Sequence, residues 1–318
     1  MIAEKKTFIS ELKSGQKVDS VFYAKNVQQR AKTNGEPFLT MELQDKTGSV
    51  SATMWEGFDT LDQGTLQFVR VAGAVGIYRE KLQLTINTIL PVAAEQVTLS
   101  DFIPATAKDV EELFAYASAK IEQMKNAPLR LLLQTIFGSP ETAARFKNAP
   151  AAKSLHNAYL GGLIEHVVDL LHLADFICEY YEGIDKDLLM AGVLLHDLGK
   201  IDELAMTPAI EYTDEGKLLG HSLLVMEVLD TASRAIPNFP RDLLVQLKHL
   251  ILTHHGRPEW GSPKSPMTME AVALHYLDNL DAKIRGFQQF VEKDSSTGAW
   301  TSRSFLFDNT ELYKKKLL

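Results

Sequence analysis

The stretch Asp187-Leu-Leu-Met-Ala-Gly-Val-Leu-Leu195-His196-Asp197-Leu198-Gly199-Lys200 decides how the larger part of this chain is read. Residues 188–195 carry no charge and almost no polarity, which marks a helix buried on all sides. The helix ends on an imidazole and a carboxylate, and Gly199 supplies a stop. A His and an Asp at the end of a buried helix cost free energy to desolvate unless each is paired. A metal ion would pair both.

Other candidate ligands lie on either side. Eight of the nine histidines fall between His166 and His275. His166 stands in the first turn of another apolar helix, over residues 163–177. Downstream come His221, the adjacent His254 and His255, and Asp278. A single His on such a helix is more simply read as a hydrogen-bonded core residue, and that reading is kept for His172, His249 and His275. Seven residues in the order His, His-Asp, His, His-His, Asp point instead to a site for one or two divalent ions. Mixed imidazole and carboxylate ligation suits manganese, iron, cobalt, nickel or zinc better than calcium; manganese is the first expectation, and magnesium a further alternative. Two such ions activate water and clamp phosphate oxygens, so phosphate-ester hydrolysis is the expected chemistry. Lys200 either contacts a non-bridging oxygen or is a plain helix-end charge. Arg257, in a loop between Gly256 and Pro258, either contacts phosphate or is a solvated loop charge.

Composition sets the frame. With 318 residues, 45% hydrophobic and 23% charged, the chain can build two cores. No apolar run reaches 18 residues and the first residues lack the apolar centre of a signal peptide, so no membrane partner is expected. Cys178 is the only cysteine, which excludes a thiolate cluster and fits a reducing cytoplasm. The net charge of -8 argues against a generally basic nucleic-acid binder. Residues 1–96 hold 11 basic and 11 acidic side chains, so the remainder carries the whole -8. Bound metals would supply the positive charge that a phosphate substrate needs there.

Residues 17–92 read differently. Stretches at 18–27, 38–43, 50–55, 67–76 and 82–90 have strand character, separated by turns at 44–49 and 78–81. Five short strands with Gly-containing turns predict a small barrel. Residues 91–104 look like a linker, after which the pattern is helical to the end. Thr106 to Asp109 reads as a capping box and Ser139-Pro140 as a helix start. The expected organisation is a barrel over 1–96, a helical linker region over 97–150 and a metal-binding domain over 151–318. Residues 313–318 form a small basic tail. The partly apolar helix at 129–136 packs either inside one subunit or between copies in a homo-oligomer.

The run Pro37-Phe-Leu-Thr-Met-Glu-Leu-Gln-Asp-Lys-Thr-Gly-Ser-Val-Ser-Ala-Thr-Met-Trp55 resembles the second and third strands of OB-folds of the anticodon-binding type. Such folds stack single-stranded bases on exposed aromatics. Phe38, Trp55, Phe58 and Tyr78 are candidates, and filling the barrel is the alternative for each. The ligand order resembles the all-helical HD-domain phosphohydrolases. Their motifs map onto His166, His196, Asp197 and Asp278, the last within Leu277-Asp278-Asn279-Leu280-Asp281-Ala282, where Leu277 replaces a small residue. By that resemblance Asp281 is a supporting group. His221, His254 and His255 would hold a second ion, with Asp197 bridging.

An OB-fold ahead of an HD domain resembles the YhaM-type 3'-5' exoribonucleases. The segment from Pro150 to His166, including Lys153, His156, Tyr159 and Gly161-Gly162, is similar to that family's entry into the HD domain. Where the family shows a His pair, this chain has His156-Asn157. The resemblance implies stepwise removal of nucleoside monophosphates from the 3' end of single-stranded RNA, with single-stranded DNA as a further substrate. It also implies that Lys153 and His156 approach the substrate phosphate. A small-nucleotide or cyclic-dinucleotide hydrolase remains an alternative. The loop His254-His255-Gly256-Arg257-Pro258 lacks the Gly-Tyr-Pro of the latter. A non-catalytic RNA-binding module is the third reading.

Overall fold

The computed structural model describes residues 5–58, 61, 66–153, 157–205, 210–294 and 296–314. Two compact units divide the chain between Ala105 and Thr106. The first is a closed five-stranded barrel of β1 (Lys17–Ala31), β2 (Pro37–Asp45), β3 (Gly48–Met54), β4 (Phe68–Tyr78) and β5 (Lys81–Val92), in the order β1-β2-β3-β5-β4. All pairings are antiparallel except β3 with β5. This is the OB-fold topology expected from residues 37–55.

The period-two pattern explains the closure. Leu39, Met41 and Leu43 of β2 point inward to meet Val18, Phe22, Val50, Ala52, Val71 and Leu84, while Phe38, Thr40 and Glu42 alternate with them on the other face. A bulge between Lys25 and Gln28, with Asn26 at φ 51°, bends β1 along its pairing with β2. Lys5 closes one end of the barrel. Its ammonium is buried 2.9 Å from Asp45 Oδ2 and 3.9 Å from the Phe22 ring centroid. The segment after β5 is ordered rather than loose. Phe102 and Ile103 are buried, and Phe102 packs edge-on to Phe68 on the outer side of the barrel wall.

The second unit is a helical assembly. Its helices are α1 (Val110–Glu122), α2 (Ala127–Phe137), α3 (Pro140–Asn148), α4 (Gly162–Tyr180), α5 (Lys186–Leu195), α6 (Lys200–Glu203), α7 (Asp214–Leu219), α8 (His221–Ala235), α9 (Arg241–Thr253) and α10 (Met269–Lys293). One core runs from Leu113 in α1 through α4 and α5 to Leu277 in α10. Helix α5 is buried from Leu188 to Leu195, which is why its sequence is apolar on every face. Helix α2 turns Leu129, Leu132, Leu133 and Ile136 into this core, so its apolar face is used within the subunit. No helix among the described residues is long and apolar enough to cross a membrane.

Three local expectations are corrected. The N-cap of α1 is Asp109 itself, accepting from Glu111 N and Glu112 N, while the Thr106 hydroxyl donates to Glu165 Oε2 at 2.6 Å. The chain is not helical to its end: β8 (Trp300–Ser304) and β9 (Thr310–Tyr313) form a hairpin, with Trp300 against Tyr313 at 5.1 Å. A two-residue ribbon, β6 (Leu204–Ala205) with β7 (Glu211–Tyr212), also interrupts the helices. Gly199 is not a left-handed stop, since its φ is -61°. A Cβ there would lie 2.2 Å from His221 O, so the glycine lets the turn after Asp197 press against the start of α8.

Candidate metal centre

Five imidazoles and two carboxylates converge at the ends of α4, α5, α8, α9 and the middle of α10. His166 Nε2 lies 3.4 Å from His196 Nε2 and 3.3 Å from Asp278 Oδ1. Asp197 Oδ2 is 3.4 Å from His196 Nε2 and 3.8 Å from His166 Nε2. On the other side, His221 Nε2 lies 3.3 Å from His254 Nε2 and 3.4 Å from Asp197 Oδ1. His255 completes this second group, its ring centroid 4.0 Å from that of His254. Asp197 therefore presents one oxygen to each group.

The opposite ring nitrogens of His166, His196, His221 and His254 are engaged. His196 Nδ1 donates to Val193 O at 2.9 Å and His254 Nδ1 to Ile251 O at 2.6 Å, within their own helix ends. His166 Nδ1 donates to Asp281 Oδ2 at 2.8 Å, and His221 Nδ1 to Glu203 Oε1 at 3.1 Å. Donation from Nδ1 leaves the Nε2 lone pairs turned toward one another. Ring nitrogens whose lone pairs face each other across 3.3–3.4 Å repel unless a metal ion or a proton lies between them. Asp197 Oδ1 is buried without a hydrogen-bond partner among the described residues. An orphaned carboxylate oxygen facing imidazole lone pairs is a donor set that fits divalent metals.

Titration follows the same geometry. Burial would raise the Asp197 pKa, but Lys200 and His196 hold it well below the usual carboxylate range. Burial opposes ionisation of Asp278 too, and the hydrogen bond from His166 more than offsets it. His254 is pushed well below the ordinary histidine value by burial and then by His255, His196 and His221, so it is neutral at pH 7. Burial, followed by His221, lowers His255 as well. For His166, burial is outweighed by hydrogen bonds to Asp278 and Asp281, and its pKa rises to about 9. Lys200, raised by Asp197 against burial, stays an ammonium with its Nζ 2.6 Å from Asp197 Oδ2.

A cavity of about 370 Å3 opens on this cluster, lined by Asp197, Lys200, His221, His254, His255 and Asp278, and also by Lys153. Lys153 pairs with Glu211 at 2.5 Å. His156 lies outside the described residues. Arg257 is exposed with its guanidinium 5.0 Å from the Trp260 ring centroid, and is not among the lining residues. Among the lining groups not singled out from the sequence are Glu203, which orients His221, and Tyr212. His275 is buried and donates from Nδ1 to His254 O at 2.7 Å, as expected of a hydrogen-bonded core histidine. His275 packs under Gly256, where φ is +74° and a Cβ would meet the His275 ring at 2.3 Å. On the barrel, Phe38 and Trp55 stack at 4.9 Å beside a polar groove lined by Gln28, Arg30, Thr40, Glu42 and Gln83. Phe58 is buried and Tyr78 exposed.

Two histidine groups that could hold metal, on either side of one carboxylate within a helical domain, are the features of a metal-dependent HD-domain phosphohydrolase, and residues 163–283 match the HD domain family. The chain is 39% identical over 304 residues to the 3'-5' exoribonuclease YhaM of Bacillus velezensis, covering 94% of this chain and 95% of that protein. It is 38% identical over 303 residues to that of Bacillus subtilis, with the same coverage. The chain belongs to the YhaM 3'-5' exoribonuclease family. The second OB-fold domain of replication protein A from Methanococcus maripaludis overlaps 27% of this chain and 93% of its own length, at 19% identity and a TM-score of 0.23.

Proposed function

We propose that the chain hydrolyses single-stranded RNA from its 3' end to nucleoside monophosphates, accepting single-stranded DNA as well, in a reducing cytoplasm. The observation that carries this is Asp197, whose two oxygens face two separate histidine groups. His166, His196, Asp197 and Asp278 would hold one divalent ion. His221, His254 and His255, with the second oxygen of Asp197, would hold another. Such ions supply Lewis-acid stabilisation of phosphoryl oxygens and a nucleophile from water at neutral pH. The residues supply the rest. Lys200 keeps an ammonium beside the cluster, placed to meet a non-bridging oxygen. Asp281, Glu203 and His275 fix the orientation of His166, His221 and the His254 turn. Lys153 contacts the phosphate of the incoming strand. The stacked Phe38 and Trp55 offer the barrel's face to upstream bases, and this near-neutral unit would bind them with little sequence preference.

The test is 5'-labelled single-stranded RNA incubated with the chain and manganese. Products shortened stepwise from the 3' end, with monophosphates released, are expected. An intact strand with freshly metal-loaded chain would refute the proposal. Turnover of dGTP in place of the oligonucleotide would favour a small-nucleotide hydrolase.

A further inference from the structure

We propose that Tyr212 is the stacking platform for the base of the 3'-terminal nucleotide, in a one-nucleotide subsite beside the metal-binding cluster; this rests on the exoribonuclease reading above. The cavity at the cluster, about 370 Å3, is at the small end of ligand sites and suits one nucleotide. Besides histidines, the aromatic side chains lining it are Tyr212 and Trp260. Trp260 is engaged, with the Arg257 guanidinium 5.0 Å from its ring centroid and His275 at 6.1 Å. Tyr212 is 40% exposed and meets no other ring among the described residues; its one close cation is Lys153, at 5.8 Å.

The ring is also held in a fixed relation to the cluster. Tyr212 pairs with Leu204 in the β6–β7 ribbon, which follows directly on α6 with its Lys200 and Glu203. The next residue, Thr213, donates from its N–H to Glu203 O at 3.0 Å and from its hydroxyl to Asp202 O at 2.8 Å. Glu203 in turn accepts from His221 N and Nδ1. The aromatic plane is thus tied through one short segment to a residue of the histidine cluster, which is what a positioned base needs. Lys153, held by Glu211 in an exposed ion pair, is weakly committed there. A phosphate can take it over, leaving an ammonium and an aromatic face side by side for a nucleotide.

The experiment is a two-by-two comparison. The kcat/KM is measured for wild type and Tyr212→Leu on two labelled RNAs, identical except that one ends in an abasic ribose. Base–aromatic stacking predicts that removing the terminal base costs the wild type about 5- to 150-fold. Tyr212→Leu should lose about as much on the native RNA, mostly through KM, and little more when the base is also removed. Tyr212→Phe should restore wild-type values. Should Tyr212→Leu fail to fold, Tyr212→Val, which suits a strand, takes its place. An abasic penalty as large in the Leu variant as in wild type overturns the proposal alone. A wild type that trims neither RNA overturns the exoribonuclease reading, and this proposal with it.

Discussion

Replacing Asp281 by Asn isolates the support of one half of the centre. Asp281 touches no other ligand candidate than His166, whose Nδ1 donates to Oδ2 at 2.8 Å, and its Oδ1 accepts from Arg285 Nε at 3.0 Å. Both partners are donors. A carboxylate satisfies both, whereas an amide has one acceptor oxygen and must turn its NH2 toward the other. The variant therefore leaves one buried donor without a partner, at a cost of about 1–3 kcal/mol. If the lost bond is that of His166, the ring is freed to rotate and its Nε2 is less basic. Losses of such supporting bonds weaken metal affinity by about 10- to 100-fold, the same range in free energy. Manganese affinity is measured by competition with a chromogenic chelator, with stoichiometry by elemental analysis, and near-UV circular dichroism checks the fold. We expect one site weakened by that factor and the other, built on His221, His254 and His255, weakened less, through Asp197 alone. Equal affinity at both sites, or equal loss at both, would refute the reasoning.

Further outcomes follow from other contacts. Gly199→Ala places a methyl 2.2 Å from His221 O, so urea unfolding should show a loss of about 1–3 kcal/mol; a loss below about 0.5 would show that the turn gives way freely. Asp175 joins Lys120 of α1 at 2.5 Å and Lys186 of α5 at 2.7 Å, and although burial opposes ionisation, these lysines depress its pKa. A depressed carboxylate stabilises above its unfolded pKa of about 3.9 and loses that contribution as pH falls through the folded value. Asp175→Asn should thus cost about 1 kcal/mol between pH 5 and 7, with the deficit narrowing below about pH 4; a deficit independent of pH would exclude the ion pairs as its source. Free manganese at 100 times its Kd should raise the melting temperature of the helical unit by about 5–10 °C over a chelated sample, and identical melts would count against a metal centre in the folded state.

What could be read from residues alone depended on distance along the chain. The barrel strands were legible because alternation is local, and Leu39-Met41-Leu43 against Phe38-Thr40-Glu42 states its two faces outright. Helix α5 was legible for the opposite reason, having no polar face at all. The ligand-type residues were visible by chemistry and order. Their supports were harder to see. Glu203 looks like an ordinary acidic residue in a four-residue helix until α8 folds back to set His221 against it. His275 is the hydrogen-bonded core histidine expected, but its acceptor, His254 O, lies 21 residues away and depends on the tight turn at Gly256. Thr106 matches a capping pattern, yet its hydroxyl accepts from Lys108 N ahead of the helix and donates to Glu165, 59 residues away. The β8–β9 hairpin escaped because Trp300-Thr-Ser-Arg-Ser304 has no apolar alternation; part of its support comes from Asp294, which accepts from Ser302 N.

Asp197 belongs to both halves of the centre at once, one oxygen to each. Two ions sharing that residue could not bind independently. Reciprocity of linked equilibria then applies: whatever factor the first ion imposes on the affinity for the second, the second imposes on the first. The order of loading is therefore not fixed by the coupling itself. It is set by which half is intrinsically tighter and by how much metal is free, and a half-loaded population is governed by the sign of that shared factor.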